Sequence, residues 1–290
     1  MRTRILVTGA DGFTGKYVCS ALRDRNVEVF GLTEDLSTTA QSIDIRDKDA
    51  VSEIIKLLRP TSVVHLAAIS NVNYWAEQDF YKVNVLGTEN ILSCISESGC
   101  VIDTIVIASS ANIYGTQSDP IKEDHVPNPQ NAYALSKLQM EEMIREKFKD
   151  LPITIVRPFN YTGVGQSTAF LVPKIVAAFK EKQREITLGN LNVARDFSDV
   201  RFIAQAYVTL VLQQVKHELL NLCSGNLISL NEIVSLCEEL TDHHINVRSD
   251  DKLKRKNEVT SLSGDATHMQ EVLGYKSSYS LRDTLKWMLI

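Results

Sequence analysis

The sequence predicts an α/β fold in which a doubly wound parallel sheet is joined to a smaller C-terminal lobe. Two observations indicate it: short apolar runs alternate with longer helical patterns through the first half, and a glycine-rich turn directly follows the first run. Runs that are apolar throughout are typical of strands covered on both faces, as in parallel sheets. The predicted strands are ILVT at 5–8, VEVFGL at 27–32, SVVHLAA at 62–68, IVIASS at 105–110 and ITIVRP at 153–158.

Helical patterns separate these runs and continue through the second half, where the strands are shorter and less regular. They lie near 14–25, 47–58, 73–98 and 131–149, and then near 170–182, 200–214, 229–241 and 280–289. Alternation of strands and helices is the mark of a doubly wound sheet, whose ligands bind at the carboxyl ends of the strands. We predict a first domain over 1–157 with about 196–220, and a second lobe formed by 158–195 and 221–290.

Composition and charge exclude several classes of partner. The 290 residues carry a formal net charge of -5, so no basic field gathers nucleic acid or an anionic membrane surface. No apolar run has transmembrane length, and the first residues lack the pattern of a secretory signal. The five cysteines are odd in number and lack CxxC spacing, which favours reduced thiols over disulfides or a metal site. We expect a cytoplasmic protein without a bound metal.

The turn after the first run predicts a dinucleotide site. In TGADGFTG, at 8–15, glycines 9, 12 and 15 stand between a strand and a helix. Glycine permits the tight turn, lets the backbone approach a pyrophosphate and packs the helix closely on the strand. The amides at the helix N-terminus then face the phosphates.

The choice between NAD and NADP depends on the end of the second predicted strand. An NAD site often has an acidic residue there to accept from the ribose 2′-hydroxyl, and Gly31 stands at that position. No arginine follows to bind a 2′-phosphate, and Glu34 and Asp35 come next. The pattern favours NADP over NAD without excluding either.

A tyrosine and a lysine predict proton transfer at the mouth of the sheet. Tyr133 and Lys137 are four residues apart, on one face of a predicted helix. A serine-containing strand end, SSANIYG at 109–115, lies shortly upstream. A tyrosine ionises at a pKa of roughly 10 in water, and a neighbouring ammonium favours its phenolate. The alternative is a buried structural tyrosine and a surface lysine, and the placement of the pair just after this strand end disfavours it.

Together these segments resemble the extended short-chain dehydrogenase/reductases, which have a Rossmann-type sheet. The resemblance is carried by TGADGFTG, Asp44–Ile45, HLAA at 65–68, VNVLGT at 83–88, SSANIYG and YALSK at 133–137. It implies a catalytic triad of Ser110, which polarises the substrate oxygen, Tyr133, which transfers the proton, and Lys137, which holds the nicotinamide ribose. The residues expected at the dinucleotide are Gly9, Asp11, Gly12, Phe13, Gly15, Asp44, Ile45, Ala67, Ala68, Asn84, Tyr133 and Lys137.

The second half is similar to the branch of that family that acts on GDP-mannose and its derivatives. The similarity lies in RPFNYTGVGQ at 157–166, ITLGNLNVARDFSDV at 186–200, NLCSG at 221–225 and RKNEV…SGD at 255–265. It implies a nucleotide-sugar substrate. The residues expected to bind it are Asn160, Leu188, Arg195, Arg255 and Glu258. The guanidinium of an arginine can donate two hydrogen bonds to phosphate oxygens, and a carboxylate can accept hydrogen bonds from ribose hydroxyls or base N–H groups.

One departure from that branch predicts the reaction. Its dehydratases carry an acidic residue just after the catalytic hydroxyl, whereas Ala111 and Asn112 follow Ser110 here. Neither side chain serves as an acid or base at C5 of the sugar. There is also no cysteine at this strand end, where the 3,5-epimerising members of the family have one.

The resemblance therefore implies reduction, by NADPH or NADH, of the 4-keto group of a nucleotide-linked 4-keto-6-deoxyhexose, with GDP-4-keto-6-deoxy-D-mannose as the expected substrate. A 4-epimerase uses the same triad and remains an alternative, as does a silent dinucleotide-binding regulator. Related enzymes dimerise through two helices per subunit, which correspond here to the patterns near 73–98 and 131–149. We therefore expect a homodimer.

Overall fold

The computed structural model of the protein describes residues 3–33, 41–71, 74, 76–117, 120–253 and 259–290. The first half contains β1 (Arg4–Thr8), α1 (Phe13–Arg23), β2 (Glu28–Thr33), β3 (Gln41–Ser42), α2 (Lys48–Leu58), β4 (Ser62–His65), α3 (Glu77–Phe80), a π-helical segment (Tyr81–Gly87), α4 (Thr88–Glu97), β5 (Thr104–Ala108), a 3-10 turn (Ala111–Tyr114), α5 (Ala132–Lys147) and β6 (Ile153–Pro158). The second half contains β7 (Asn160–Thr162), α6 (Leu171–Lys180), β8 (Glu185–Leu188), β9 (Ala194–Asp199), α7 (Val200–Leu212), β10 (Leu219–Leu222), β11 (Leu227–Ser229), α8 (Leu230–Thr241), β12 (Asn246–Ser249), a 3-10 turn (Asp251–Leu253), β13 (Ser261–Leu262), α9 (Thr267–Leu273) and α10 (Leu281–Leu289).

A seven-stranded sheet in the order β10-β6-β5-β4-β1-β2-β3 confirms the predicted fold class. The pairs from β3 through β6 are parallel, and the order reverses between β1 and β4. Both faces of its inner strands are buried, since consecutive residues Ile5, Leu6 and Val7 are all inaccessible. The reversal brings the ends of β1 and β4 together, which is where ligands of such sheets bind.

The chain folds into two compact units, each built from several separate segments. The first is Met1–Ile113, Asn131–Pro158 and Ala204–Leu220, and the second is Tyr114–Gln130, Phe159–Ile203 and Asn221–Ile290. The predicted boundaries differ at 114–130 and at 196–203, which belong to the second unit. Hydrogen bonds within that unit give the reason: Tyr114 Oη donates to Asn221 Oδ1 at 2.8 Å, and Ile121 N donates to Ser263 O at 2.9 Å. β9 likewise pairs with β7, β11 and β13.

Helix α5 carries the predicted tyrosine and lysine, and local chemistry sets its start. Asn131 has an extended backbone, and its side chain accepts a hydrogen bond from Ala134 N at 2.8 Å, which satisfies one of the free amides of the first turn. The buried face of the helix includes Met140, Met143 and Ile144, which pack into the core of the first unit with residues of β5 and β6. The catalytic candidates on α5 therefore stand on a rigid element.

The helix predicted near 73–98 is not uniform. Its described part is α3, then the π-helical segment, then α4. A π-helical turn widens the backbone by one residue, and such turns are frequent at functional sites. Asn84, one of the predicted cofactor residues, lies inside this segment and is fully buried.

The second unit has its own core and two small sheets. Buried residues of α6, α8 and α10 pack with β8 and β9 around Ile175, Phe179, Ile233 and Leu285. Capping boxes at Ser229–Glu232 and Ser280–Asp283 begin α8 and α10. Among the described residues no helix is long and apolar enough to cross a membrane. The described residues also contain no group of three or more His, Cys, Asp or Glu side chains that could hold a metal ion.

Candidate active site

The glycine-rich turn after β1 is shaped for close backbone approach. Gly9 has φ +66°, and a Cβ there would lie 2.9 Å from Ala67 N. A Cβ at Gly15 would lie 2.1 Å from Gly9 O, so this glycine lets α1 pack against the turn. Gly12 caps α1 without any side chain over its first amides. The turn therefore fits a dinucleotide pyrophosphate at the N-terminus of α1.

The other predicted cofactor residues of this unit lie on neighbouring loops. Asp11 precedes α1, and Phe13 begins it, with its ring 5.7 Å edge-on from that of Tyr17. After β3, the Asp44 carboxylate accepts from the guanidinium of Arg46 at 2.6–2.9 Å. The hydrogen bond from the Arg46 side chain holds the pKa of Asp44 below its ordinary value, so it is a carboxylate at neutral pH. Glu34 and Asp35 lie outside the described residues.

A buried chain of neutral polar groups links the glycine turn to the π-helical segment. Thr8 Oγ1 accepts from Leu66 N and Ala67 N and lies 2.7 Å from His65 Nδ1. His65 Nε2 lies 2.8 Å from Thr88 Oγ1, which donates its proton to Asn84 O. The Thr88 proton is thus committed, so His65 Nε2–H donates and His65 Nδ1 accepts from Thr8.

His65 holds this arrangement without charge. Burial, and next the nearby Lys137 charge, lower the pKa of His65 to about 3. At the other end of the chain of polar groups, Asn84 Nδ2 donates to Ser136 Oγ at 3.0 Å, and Ser136 Oγ donates to Tyr133 O at 2.7 Å. The predicted cofactor residues Ala67 and Asn84 are therefore joined by hydrogen bonds to the helix that carries Tyr133.

Ser110 follows β5, and its hydroxyl is oriented by Asn112. Ser110 Oγ accepts from Asn112 N at 3.2 Å and from Asn112 Nδ2 at 3.1 Å. A serine hydroxyl has two lone pairs and one proton. With both lone pairs occupied, the proton remains to be donated, as to a substrate carbonyl oxygen. Asn112 was not singled out as a site residue by the sequence reasoning, although its polar amide two residues after the predicted serine is a usable signal.

Tyr133 and Lys137 lie on the buried face of α5, beside the end of β5. Lys137 Nζ donates to Ala108 O at 2.8 Å, two residues before Ser110. Burial lowers the pKa of Lys137 to about 8, and the Glu141 charge opposes that lowering. Tyr133 is 7% exposed, and its ring centroid lies 5.9 Å from that of Phe80. The structure thus brings the lysine to the serine-bearing strand end, and the buried Tyr133 lies one helical turn before that lysine on α5.

A buried ion pair between Glu141 and Arg157 lies behind this strand end, and the sequence did not predict it. Ser109 Oγ and the Arg157 guanidinium both donate to the Glu141 carboxylate. Glu141 follows Lys137 by four residues and therefore shares its helix face. That spacing was a signal in the sequence, whereas the approach of Arg157 from β6 was not.

In the second unit, Asn160 and Arg195 share one face of a small sheet. Asn160 pairs with Phe197 in parallel β7 and β9, and Arg195 is two residues before Phe197. Asn160 is exposed, and Arg195 donates to Ala194 O at 2.9 Å and also to Val259 O. Leu188 ends β8, and its side chain packs in the apolar core, so its role at a substrate stays a prediction. Arg255 and Glu258 lie outside the described residues.

Comparison with known proteins gives the family. The sequence pattern of the GDP-mannose 4,6 dehydratase family matches residues 6–288. A GDP-6-deoxy-D-talose 4-dehydrogenase from Aggregatibacter actinomycetemcomitans is 35% identical over 273 residues, 93% of this chain and 91% of that protein.

Two solved structures extend over nearly the whole chain. A putative epimerase from Burkholderia cenocepacia is 38% identical with a TM-score of 0.92, covering 99% of this chain and 97% of that one. RMD from Pseudomonas aeruginosa, complexed with NADPH, is 26% identical with a TM-score of 0.86, covering 100% and 97%. The resemblance to extended short-chain dehydrogenase/reductases is confirmed, and the chain belongs to the GDP-mannose 4,6-dehydratase family of enzymes, whose relatives oxidise, reduce or epimerise nucleotide-linked sugars.

Proposed function

We propose that this protein is a 4-ketoreductase of nucleotide-linked 4-keto-6-deoxyhexoses, with GDP-4-keto-6-deoxy-D-mannose as its substrate. The observation that carries the proposal is the strand end after β5, where Asn112 occupies both lone pairs of the Ser110 hydroxyl and where Ala111 and Asn112, not an acidic residue, follow Ser110 in the sequence. Such an end can polarise a ketone, but it has no group to remove the C5 proton that dehydration requires.

Each residue of the predicted triad has a defined task in the reduction. Ser110 donates its hydroxyl proton in a hydrogen bond to the carbonyl oxygen, and Tyr133 transfers its own proton to that oxygen as the alkoxide forms. Lys137, held by Ala108 O, stabilises the resulting phenolate because an ammonium beside a phenol favours the ionised form. NADPH or NADH, when bound, supplies the hydride. The glycine turn, Asp44, Ile45, Ala67, Ala68 and Asn84 would hold it.

The relatives support the substrate class and the cofactor. A dehydrogenase acting at position 4 of a GDP-linked deoxyhexose, as the relative from Aggregatibacter is named, runs the reverse of a 4-ketone reduction. RMD is complexed with NADPH. β2 continues past the predicted strand end at Gly31 and ends at Thr33. Neither residue offers a carboxylate to a ribose hydroxyl, which favours NADP over NAD. We propose that Asn160, Arg195 and the guanidinium of Arg255 bind the sugar diphosphate. Leu188 and Glu258 are proposed to contact the nucleoside.

A 4-epimerase is the second candidate, favoured by the name of the Burkholderia structure. Epimerisation at C4 oxidises and then re-reduces the same carbon, so it consumes no added cofactor. A reductase oxidises one NADPH for each ketone reduced. The two functions therefore differ in stoichiometry and not in the triad they need.

One experiment tests both candidates. The purified protein is incubated with a panel of nucleotide-linked 4-keto-6-deoxy sugars and 4-deuterated NADPH or NADH, followed by nicotinamide absorbance and product NMR. A reductase places one deuterium on C4 with stoichiometric cofactor oxidation. Interconversion of sugars without net oxidation supports the epimerase. Binding of NADPH with no turnover of any sugar supports the third alternative, a silent regulator.

We also propose a homodimer and a cytoplasmic location. Apolar side chains are exposed on the helices that dimerise in related enzymes, namely Tyr81 and Leu86 in the π-helical segment and Leu135 on α5. Covering them in a second subunit would remove apolar surface from water. Analytical ultracentrifugation of the wild type and of Leu86→Glu tests the homodimer, since the charge should weaken it. A monomeric wild type would contradict the proposal.

A further inference from the structure

Behind the proposed catalytic residues lies a buried ionic cluster that the triad chemistry does not use. We call Ser109, Glu141 and Arg157 the Glu141 cluster. Ser109 Oγ donates to Glu141 Oε1 at 2.5 Å, Arg157 Nε donates to the same oxygen at 3.0 Å, and Arg157 Nη2 donates to Glu141 Oε2 at 2.6 Å. Ser109 is 4% exposed, Glu141 1% and Arg157 2%. Buried charges of this kind are retained only when they are paired and hydrogen-bonded.

The Glu141 cluster joins the elements that carry the proposed triad. Ser109 directly precedes Ser110, and Ala108 before it accepts the hydrogen bond of Lys137. Glu141 is one helical turn beyond Lys137 on α5, so helix and strand end are connected at two successive levels. Ser109 N also donates to Val156 O at 2.7 Å, next to Arg157 on β6. Any shift of α5 along the sheet would break bonds at both levels.

The cluster also places a negative charge near the buried ammonium. Lys137 is close to Glu141 on its own helix and to the neutral His65 of β4, and Tyr133 is on the same helix face by its spacing of four residues. Arg157, on β6, is paired with Glu141. Burial lowers the pKa of Lys137 and the Glu141 charge opposes this, so loss of the carboxylate would lower that pKa further.

We propose that Glu141 is a positioning residue for the reaction: through Ser109 it holds the strand end that presents Ser110, and through its charge it keeps the Lys137 ammonium in place. The proposal rests on the proposed ketoreductase function. A purely structural ion pair, in which Glu141 only balances Arg157, predicts loss of stability without any effect on the pH dependence or on the turnover of the folded enzyme.

Three variants separate the two roles of Glu141. Ser109→Ala removes the link to the strand end and leaves the ion pair intact, so kcat should fall by about tenfold through misplacement of Ser110. The alkaline limb of its pH–rate profile should keep its wild-type position. Glu141→Gln removes the charge, so the alkaline limb should move down by about one pH unit. Glu141→Asp, which keeps a charge on a shorter side chain, should restore the limb but not kcat.

Thr154→Val is the matched control. It removes a buried hydroxyl of β6, whose Oγ1 donates to Val215 O at 3.1 Å, and it should leave kcat and the alkaline limb unchanged. Wild-type kcat in Ser109→Ala, or an unmoved limb in folded Glu141→Gln, overturns the proposal. If Glu141→Gln does not fold, Ser109→Ala still tests the link to Ser110, and a wild-type kcat in that variant overturns the proposal.

A second readout is independent of the sugar. NADPH binding, followed by nicotinamide fluorescence, should weaken at a lower pH in Glu141→Gln than in the wild type, because Lys137 is expected to hold the nicotinamide ribose. If the wild type binds NADPH but reduces none of the keto sugars, the proposed function is wrong. The comparison of NADPH binding between wild type and Glu141→Gln can still be made in that case. An identical pH dependence of binding in both proteins contradicts the role of the Glu141 charge.

Discussion

The buried Lys137 ammonium should make activity and stability respond to pH in opposite directions. Burial lowers the pKa of this lysine from 10.5 to about 8 in the folded protein. As pH rises through about 8 the folded protein loses the ammonium that is proposed to support Tyr133, so the rate of the proposed reduction should decline.

The effect on stability has the other sign. Between about 8 and 10.5 the unfolded chain keeps the Lys137 proton while the folded protein has released it, so the free energy of unfolding rises with pH in this window. At roughly 1.4 kcal/mol for each pH unit, the complete gain is about 3 kcal/mol. Below about pH 8 the cost of burying the charge is present in full.

Lys137→Met isolates this contribution, since other titrating groups are common to both proteins. Urea unfolding is measured for wild type and variant from about pH 7 to about pH 10, over which the free energy of unfolding of the wild type should rise by about 2 to 3 kcal/mol relative to that of the variant. The pH–rate profile of the wild type is measured in parallel with NADPH and the keto sugar. A stability difference that does not change with pH, or an alkaline limb near the ordinary lysine pKa, would refute the reasoning.

Four further outcomes test the site. Tyr133→Phe should reduce kcat by about 10² to 10⁴-fold, as expected for loss of a general acid, while cofactor fluorescence titration still shows binding; turnover like that of the wild type would remove Tyr133 from the mechanism. Asn112→Ala should lower kcat/KM by about two- to tenfold, the effect of one hydrogen bond to Ser110, and an unchanged value would mean that the hydroxyl needs no orientation. Gly15→Ala should abolish NADPH binding in the same titration, because its Cβ would meet Gly9 O at 2.1 Å. Glu258→Gln should weaken the binding of a GDP-sugar, measured by calorimetry, by roughly 1.5–3 kcal/mol if the carboxylate contacts the nucleoside. If Glu258 only forms a surface ion pair, the loss should be about 0–1 kcal/mol. Tighter binding of UDP or dTDP than of GDP to the wild type would contradict the guanine assignment.

Much of the first unit was accessible from the sequence because the information there is local. The glycines at 9, 12 and 15 sit between a strand and a helix, and their spacing alone specifies a tight turn that a Cβ would block. The apolar runs predicted the buried parallel strands, since strands covered on both faces need apolar residues at every position. The pairing of Tyr133 with Lys137 is also local information, because residues four apart are about one helical turn apart and share a face.

Other features were set by contacts between residues far apart in the chain. The break of the helix near 73–98 into α3, a π-helical segment and α4 accompanies the close packing of Gly87 on Ile45, where a Cβ would lie 2.6 Å from Ile45 Cδ1. The segment 114–130 follows β5 and the proposed catalytic serine in sequence, yet its hydrogen bonds to Asn221 and Ser263 assign it to the second unit. No spacing rule connects these positions.

The triad was predicted as three residue types, but its electrostatic state came only from tertiary structure. The sequence determined which side chains are present: a serine without an adjacent acid, a tyrosine and a lysine. Tertiary packing decided that Asn112 fills both lone pairs of Ser110 and that burial lowers the pKa of Lys137 to about 8. It also brought Arg157 of β6 to Glu141 of α5. Burial and long-range pairing depend on which strands become neighbours, and that property belongs to the folded sheet and not to any local stretch of the chain.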